Sequence, residues 1–422
     1  MSEANVGRTP GSVRAAVRRL ALGRVISSTG TFAAGTALTF TIFERTRSPA
    51  WISATMLLTW GVIGFFGPLA GLIGDRYDRR RVMIVGESGA AVCWFAMAFV
   101  PREPALLLAI AFLSSVFEAP FFPASSAAIP NVAGKENMSW ANSLLATGRY
   151  LGLTVGPLIG GLLLAAIGAS WVFAINAASY AFSVALVASV RADFADPERD
   201  AAEAAAHEGI LAGFRFVRQD RVLRQMALSW IVFLLGMATT LVADPLLADE
   251  FGTGSFGFGM LTALWGGGTI LGAYLGRWVT EDREAAWIVV FSFLVALTGF
   301  GVFFSPWFWL VLFWVFVFGV CDGPTQVVEQ NLLQRRTPDV VRSRVMGAWD
   351  TLMHGGLVVA LIVGGWIVEA LGPKGAYLVG GITGTLGASL LVPLLRWLPR
   401  RSAGGAAERV PGSETVPFEL PG

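Results

Sequence analysis

The sequence is poor in charged residues, which make up only 14% of its 422 residues. Soluble proteins carry about a quarter. So small a supply of charge argues against a water-soluble enzyme, and the hydrophobic content of 55% excludes a disordered chain. The net charge of +2 gives no indication of nucleic acid as a partner. Together these numbers indicate a protein whose main solvent is lipid.

Cysteine and histidine are also scarce, with two residues of each type. Cys93 and Cys321 both lie in apolar runs, which is typical of buried thiols rather than of a disulfide, a zinc site or a redox pair. The sequence contains no GxxxxGK[ST], HExxH or GxSxG pattern. We therefore expect no ATP-driven step, no metal, no cofactor and no enzymatic activity.

What the sequence does contain is a series of long apolar runs. Each is long enough to cross a bilayer as a helix, and all are too long and too evenly apolar for barrel strands. They predict an all-α integral membrane protein with twelve transmembrane helices. The approximate limits of these predicted spans 1–12 are residues 20–43, 50–73, 82–100, 105–128, 142–166, 170–190, 226–248, 257–278, 285–304, 307–331, 346–369 and 376–397.

The basic residues predict the orientation of these spans. If the N-terminus is cytoplasmic, 27 of the 31 lysines and arginines fall on the cytoplasmic side, and they do so loop by loop. Both termini are therefore predicted to be cytoplasmic. An error of one span would destroy this alternation.

The longest polar stretch between spans, residues 191–225, divides the chain into two lobes of six helices. Its apolar and basic residues favour a cytoplasmic linker that contains an amphipathic helix, although a plain solvated linker fits too. The predicted organisation is a cytoplasmic tail (1–19), an N-terminal lobe (20–190), the linker, a C-terminal lobe (226–397) and a disordered cytoplasmic tail (398–422).

The two lobes carry an internal repeat. A shift of 204 residues places Glu118 and Pro120 of span 4 on Asp322 and Pro324 of span 10. Near spans 2 and 8 the shift is 205. Such repeated halves place a binding site between them, near the middle of the membrane.

A charged motif follows span 2, within residues 67–83. Its members are Gly71, Asp75, Arg76, Arg79 and Arg80. The pattern resembles the loop 2–3 signature of the major facilitator superfamily, with Asp78 where the signature usually has glycine. The resemblance implies a cytoplasmic gate in which Asp75 faces the start of span 11. Asp350, at that start, is a candidate partner of Arg76 or Arg79 when the cytoplasmic side closes. The residues alone also fit a simple topology anchor.

A glycine-rich motif lies in span 5 and begins near Arg149. Glycines four residues apart form a stripe that lets helices approach closely, and ordinary packing explains this spacing equally well. The run is similar to the span 5 motif of proton-coupled exporters in the same superfamily. The matching residues are Gly152, Gly156, Pro157, Gly160 and Gly161. Arg149 matches an arginine common there, and it either pairs with a cytoplasmic-side acid or reaches the interface.

Three further stretches, residues 121–132, 213–225 and 332–347, resemble the bacterial branch that contains the macrolide-efflux proteins and the enterobactin exporter. The resemblance covers roughly residues 18–397. It implies a monomeric secondary transporter of a bacterial inner membrane that exports an amphipathic small molecule in exchange for protons by alternating access. An importer or facilitator on the same fold, and a lipid-handling protein, are the alternatives.

Acidic residues inside spans are costly in lipid and commonly functional. Glu118 and Asp322 lie in the middle of spans 4 and 10, and in the superfamily both spans line the central cavity. We expect one of them to couple protons or bind substrate; a structural role beside an arginine or hydroxyl is the alternative. Asp244 and His354 are weaker candidates for the same function.

Overall fold

The computed structural model describes residues 10–61, 73, 77–100, 103–190, 194, 210–338 and 341–397. Within these ranges the regular elements are all helical. Gly71, Asp75 and Arg76 of the loop 2–3 motif lie outside the described residues, as do both predicted terminal tails apart from residues 10–19.

The described residues of the N-terminal half form six α-helices. Pro49 and Pro104 each stand at the first position of a helix, where a missing backbone N–H has no cost. Asp78 caps the third helix, because its carboxylate accepts a hydrogen bond from the Arg81 amide at 2.8 Å. The helices are α1 (Pro10–Thr46), α2 (Pro49–Met56, followed by a π-helical turn, Leu57–Gly61), α3 (Arg79–Met97), α4 (Pro104–Glu118), α5 (Phe121–Ile167) and α6 (Ala169–Ser189).

The C-terminal half follows a short helix in the linker. Asp220 separates that helix from the next and caps the new one, accepting hydrogen bonds from the amides of Val222 and Leu223. The elements are α7 (Ile210–Gln219), α8 (Arg221–Glu250), α9 (Gly254–Gly276), a 3₁₀ turn (Glu281–Arg283), α10 (Glu284–Phe303), α11 (Phe308–Arg336), α12 (Arg342–Leu391) and α13 (Leu394–Trp397).

The described helices are consistent with twelve spans. Nine segments of the described chain are long and apolar enough to cross a membrane, and the last one, Arg344–Trp397, holds two predicted spans. The non-helical backbone of Gly372 divides that segment between spans 11 and 12. Span 3 corresponds to α3, and the described part of span 2 corresponds to α2 and its π-helical turn.

The internal repeat is confirmed by the backbone. Gly168 (φ 83°) separates α5 from α6, and Gly372 (φ 71°), 204 residues later, divides α12 in the same way. Near spans 2 and 8 the shift is 205. The connection that follows α1 contains Arg47 (φ 51°), and the one that follows α8 contains its mate, Gly252 (φ 67°).

The predicted connection between spans 4 and 5 is present. The non-helical backbone of Gly134 (φ 71°, ψ 164°) divides α5 (Phe121–Ile167) as Gly372 divides α12, and the two candidate spans on either side are Pro104–Ile129 and Glu136–Ile167. The glycine adopts the left-handed angle, and the polar residues after it, such as Asn137, are helical. The connection is therefore a sharp turn at one glycine rather than a long loop.

The two halves pack together at the end of the bundle that carries Arg47, which the charge distribution predicts to face outside. We call it the outer end. One hydrophobic cluster there joins Phe40 and Ile52 of the N-terminal half to Leu247 and Phe258 of the C-terminal half. An ion pair between Arg47 and Asp249, with N···O at 2.6 Å, also crosses this boundary.

The linker helix α7 packs on the C-terminal half. Val217 is buried in a cluster with Leu223 and Val345. A side chain at Gly213 would lie only 2.1 Å from the carbonyl oxygen of Arg344. The apolar face of this amphipathic helix is therefore covered by protein.

Candidate functional site

A cluster of polar side chains lies inside the N-terminal half. Glu118 stands at the end of α4, where Pro120 interrupts the helix, and its carboxylate accepts a hydrogen bond from Ser114 at 3.0 Å. Its neighbours include Tyr180 of α6, whose hydroxyl is 2.7 Å from that of Thr31. The residue predicted from sequence thus lies in a polar network between α1, α4 and α6.

Sequence reasoning missed two members of this cluster. Glu87 of α3 is buried and accepts a hydrogen bond from Ser183 at 2.9 Å. Arg24 of α1 lies within electrostatic range of both Glu87 and Glu118, and its guanidinium is 5.3 Å from the ring centroid of Phe121. The charge distribution treats Arg24 only as one of the basic residues on the cytoplasmic side, although an arginine and a glutamate within apolar runs are a signal of buried charge.

The C-terminal half contains a pocket lined by residues of α8, α10, α11 and α12. Asp322 lines it, is 5% exposed and accepts a hydrogen bond from Gln326 at 2.6 Å. Glu329, two turns further along α11, lines the same pocket and is also buried. Asp322, the repeat mate of Glu118, therefore shares its pocket with a second acid.

Two tryptophans hold Glu329. The indole N–H of Trp349 donates to Oε1 at 2.9 Å, and that of Trp230 donates to Oε2. Buried tryptophans commonly need such a partner for the indole N–H. Glu329 was missing from the sequence-based candidates because it lies at the polar end of span 10, and only the packing of three helices brings the tryptophans to it.

Asp244 lies in a second pocket, in the outer half of the C-terminal bundle. It accepts a hydrogen bond from the hydroxyl of Tyr377 at 2.5 Å. The walls are mainly apolar and include Trp265, Trp314 and Phe318. Asp244 is therefore separate from the Asp322–Glu329 pocket along α8 and α11.

His354 and Asp350 lie one turn apart on α12 and are exposed. The Nδ1 atom of His354 is 2.8 Å from the backbone carbonyl oxygen of Asp350. Neither residue lines the two pockets described above. The structure therefore does not bring His354 together with Asp322 or Asp244.

The described part of the loop 2–3 motif is held inside the N-terminal half. Arg79 is buried and donates to the carbonyl oxygens of Ala127 at 2.9 Å and Phe194 at 3.3 Å. Arg80 donates to the carbonyl oxygen of Ala188. In this structure Arg79 thus bonds to backbone carbonyls of its own half rather than to Asp350.

The glycine motif of α5 faces two different helices. Side chains at Gly152, Gly156 and Gly160 would all collide with α1, at Ser28, Thr29 and Ala33 respectively. Gly161 instead faces α9, and its carbonyl oxygen accepts a hydrogen bond from Ser255 at 3.1 Å. The first three glycines pack α5 within its own half, whereas the fourth packs it against the other half.

Pro157 and Arg149 complete that motif. The carbonyl oxygen of Pro157 would lie 2.5 Å from a side chain at Gly259 of α9, so this part of α5 also touches the C-terminal half. Arg149 is exposed and lies within electrostatic range of Arg24, which places it near the acidic cluster of the N-terminal half.

The sequence is similar to those of transporters whose names state the exported molecule. The chain is 26% identical over 358 residues to the enterobactin exporter EntS of Shigella boydii serotype 18, covering 83% of this chain and 85% of the relative. The same protein from Escherichia coli O81 matches with the same identity and coverage.

Solved structures show the same fold. A bacterial homolog of the human lysosomal transporter Spinster, in an inward-facing and unoccupied conformation, matches with a TM-score of 0.73 and 14% identity, covering 93% of this chain and 98% of that one. A bacterial homologue of the iron transporter ferroportin matches with a TM-score of 0.67 and 15% identity, covering 89% and 98%. The family model described as transmembrane secretion effector matches residues 12–412. The chain therefore belongs to the transmembrane secretion effector family of the major facilitator superfamily, and it is a multi-pass membrane transporter.

Proposed function

We propose that this transporter exports an amphipathic small molecule in exchange for protons, with both termini in the cytoplasm of a bacterial cell. Export is the direction stated for the similar enterobactin exporters. The two halves are in contact at the outer end in this structure. Alternating access therefore requires the halves to separate at that end.

Proton coupling rests on one observation, the excess of acid in the N-terminal cluster. Glu87 and Glu118 share a single arginine, Arg24, within electrostatic range. One Oε atom of Glu87 is buried and has no hydrogen-bond partner among the described residues. An unpaired carboxylate in such a site is costly, and a bound proton removes that cost. We assign the exchangeable proton to this pair of glutamates.

The test is energised efflux of a fluorescent amphiphile from a bacterial host, with and without an uncoupler. Wild-type efflux against a gradient should stop when the uncoupler is added. Glu118→Gln and Glu87→Gln should lose this uphill efflux yet retain downhill exchange of the same dye, since carboxamides keep the shape of the side chain but cannot cycle a proton.

Glu369→Gln is the matched control, because Glu369 is an exposed acid on α12 and lies outside both pockets. Membrane abundance of each variant is measured in parallel. Full uncoupler-sensitive efflux in both glutamine variants would refute the assignment, and uphill efflux that ignores the uncoupler would favour a transporter without proton coupling.

A further inference from the structure

The second pocket, which contains Asp244, is formed by the C-terminal half alone. Its lining residues belong to α8, α9, α10, α11 and the last part of α12. The rings of Phe233 and Phe318 stack with their centroids 6.4 Å apart. Phe233 also lines the pocket of Asp322, so this stacked pair lies at the boundary between the two pockets.

Glycines give the second pocket a rigid wall. A Cβ at Gly236 of α8 would lie 2.9 Å from the Cα of Gly380 in α12. A Cβ at Gly299 of α10 would lie 2.8 Å from the carbonyl oxygen of Tyr377 in α12. All four residues line the pocket, so three of its helices contact one another through backbone atoms there.

The hydroxyl groups on the wall use their hydrogens within the protein. Three threonines each donate to a backbone carbonyl of their own helix, and these are Thr240, Thr262 and Thr298. The hydroxyl of Tyr377 donates to Asp244. These four groups therefore offer no free donor to a bound molecule.

The indole N–H of Trp265 differs from these hydroxyls. Trp265 lines the pocket, and its Nε1 atom is buried without a hydrogen-bond partner among the described residues. The indole groups of Trp230 and Trp349, by contrast, donate to Glu329. A buried donor without an acceptor is rare and costs free energy. A bound molecule that supplies an acceptor would remove this cost.

The walls of the pocket favour an uncharged molecule. Among the described residues that line it, none is lysine, arginine or histidine, and Asp244 is the one acid. An anion would therefore find no cationic partner there, and the acid already accepts the Tyr377 hydroxyl. Phe233, Trp314 and Phe318 supply aromatic surface for a ring.

We propose that the second pocket binds an uncharged aromatic molecule whose carbonyl oxygen accepts a hydrogen bond from the indole N–H of Trp265. A carbonyl group is suited to this position because it only accepts hydrogen bonds and needs no acceptor in return. The inference goes beyond the proposed export, since it concerns a binding site inside one half and requires no movement of protons.

The experiment compares benzophenone with 1,1-diphenylethylene, which has nearly the same shape but a methylene group in place of the carbonyl oxygen. Calorimetry measures their binding to the purified full-length chain in lipid nanodiscs, and nanodiscs without protein correct for partition into lipid. Benzophenone should bind about tenfold more tightly, because the hydrocarbon leaves the indole N–H unpaired. Equal affinities would overturn the proposal.

Benzophenone also reports where it binds, because ultraviolet light couples it to nearby C–H groups. Mass spectrometry of the irradiated chain should find the label on residues of the pocket wall, such as Met237 and Val295. A label confined to residues outside the pocket would overturn the proposal.

The variants test the hydrogen bond itself. Trp265→Phe keeps an aromatic wall but removes the N–H, so it should weaken benzophenone binding about tenfold and leave 1,1-diphenylethylene binding unchanged. Trp366→Phe is the matched control, since Trp366 is exposed on α12 and lines neither pocket. If Trp265→Phe weakens both probes equally, or weakens neither, the proposal is wrong.

Thr262→Phe tests the pocket as a whole, because it places a ring inside the wall and should abolish binding of both probes. If this variant does not fold, the Trp265→Phe result decides. The nanodiscs carry no gradient, so a failure of benzophenone binding leaves uncoupler-sensitive efflux standing. Loss of proton coupling in cells likewise leaves the binding result standing.

Discussion

Two adjacent glycines of α5 should have different functions, because they face different halves of the protein. A Cβ at Gly160 would lie 2.2 Å from the backbone oxygen of Ala33 in α1, within the N-terminal half. A Cβ at Gly161 would lie 2.4 Å from the backbone oxygen of Ser255 in α9, across the boundary between the halves. The perturbation is a single methyl group at either position.

The magnitude follows from the geometry. Ordinary contact begins at 3.4 Å, so α1 and α5 must separate by about 1.2 Å in Gly160→Ala, and backbone atoms cannot swing aside. Overpacking of this kind costs about 3 kcal/mol, while the better helix propensity of alanine returns about 1 kcal/mol. We expect Gly160→Ala to lower the stability of the N-terminal half by about 2 kcal/mol.

Gly161→Ala creates a similar steric clash, but at the boundary between the two halves. The halves can relieve it by separating at the outer end, which is the movement that the proposed alternating access requires. We therefore expect little loss of thermal stability and a shift of the population towards conformations in which the outer end is open. Gly355→Ala is the control, because a Cβ there meets nothing within 4 Å.

The assay combines thermal unfolding in detergent with the rate of disulfide formation between cysteines that replace Arg47 and Asp249, in a background where Cys93 and Cys321 are serine. Gly160→Ala should lower the midpoint of unfolding, and Gly161→Ala should slow cross-linking. The reasoning is refuted if both variants unfold at the same lowered temperature, or if cross-linking is unchanged in Gly161→Ala.

Three further predictions follow from single contacts. Tyr377→Phe removes the hydroxyl that donates a hydrogen bond to Asp244, so the free energy of unfolding should fall by about 1–3 kcal/mol. Adding Asp244→Asn should recover part of this loss, as measured by thermal unfolding. A Tyr377→Phe variant as stable as the wild type would contradict the prediction. Arg47 and Asp249 are largely exposed, so Arg47→Asp should change stability by less than about 1 kcal/mol. The same variant should also increase the distance between labels placed on the two halves at the outer end. The swapped pair, Arg47→Asp with Asp249→Arg, should restore the wild-type distance. An unchanged distance in the single variant would show that the ion pair does not hold the halves together. Gly168→Ala and Gly372→Ala should each cost about 1–2 kcal/mol in unfolding midpoints, since both glycines have positive φ and open space around them. A large difference between these two variants would count against the equivalence of the repeats at these turns.

Much of the fold could be predicted from the sequence, because spans and turns depend on local composition. The runs of apolar residues gave helices near the expected limits, and Gly168 and Gly372 marked the turns inside each half. The connection between spans 4 and 5 also falls inside its predicted interval, at Gly134, although the polar residues that follow this glycine are helical. A hydropathy profile predicts where the chain leaves the membrane, but it does not predict at which residue the backbone hydrogen bonds of a helix end.

The candidate site was less predictable, because its members come together only through tertiary packing. Glu118 and Asp322 stood out as isolated acids in apolar spans. Arg24, Glu87 and Glu329 stand closer to the polar parts of the sequence, and their importance depends on the partners that other helices bring. The pairing of Asp350 with Arg76 or Arg79 stays a prediction for the state in which the cytoplasmic side is closed; in this structure Arg79 donates to backbone carbonyls of the N-terminal half.

The connection at Arg47 differs from its repeat mate in the conformational freedom of one residue. Gly252 adopts a positive φ without steric cost, whereas Arg47 adopts it with a Cβ, at a cost of about 1 kcal/mol. The Arg47 side chain forms the ion pair with Asp249 of the other half, and its guanidinium lies 5.0 Å from the ring centroid of Phe43. The first half thus carries local backbone strain at a residue that joins the two halves, and the equivalent glycine of the second half carries none.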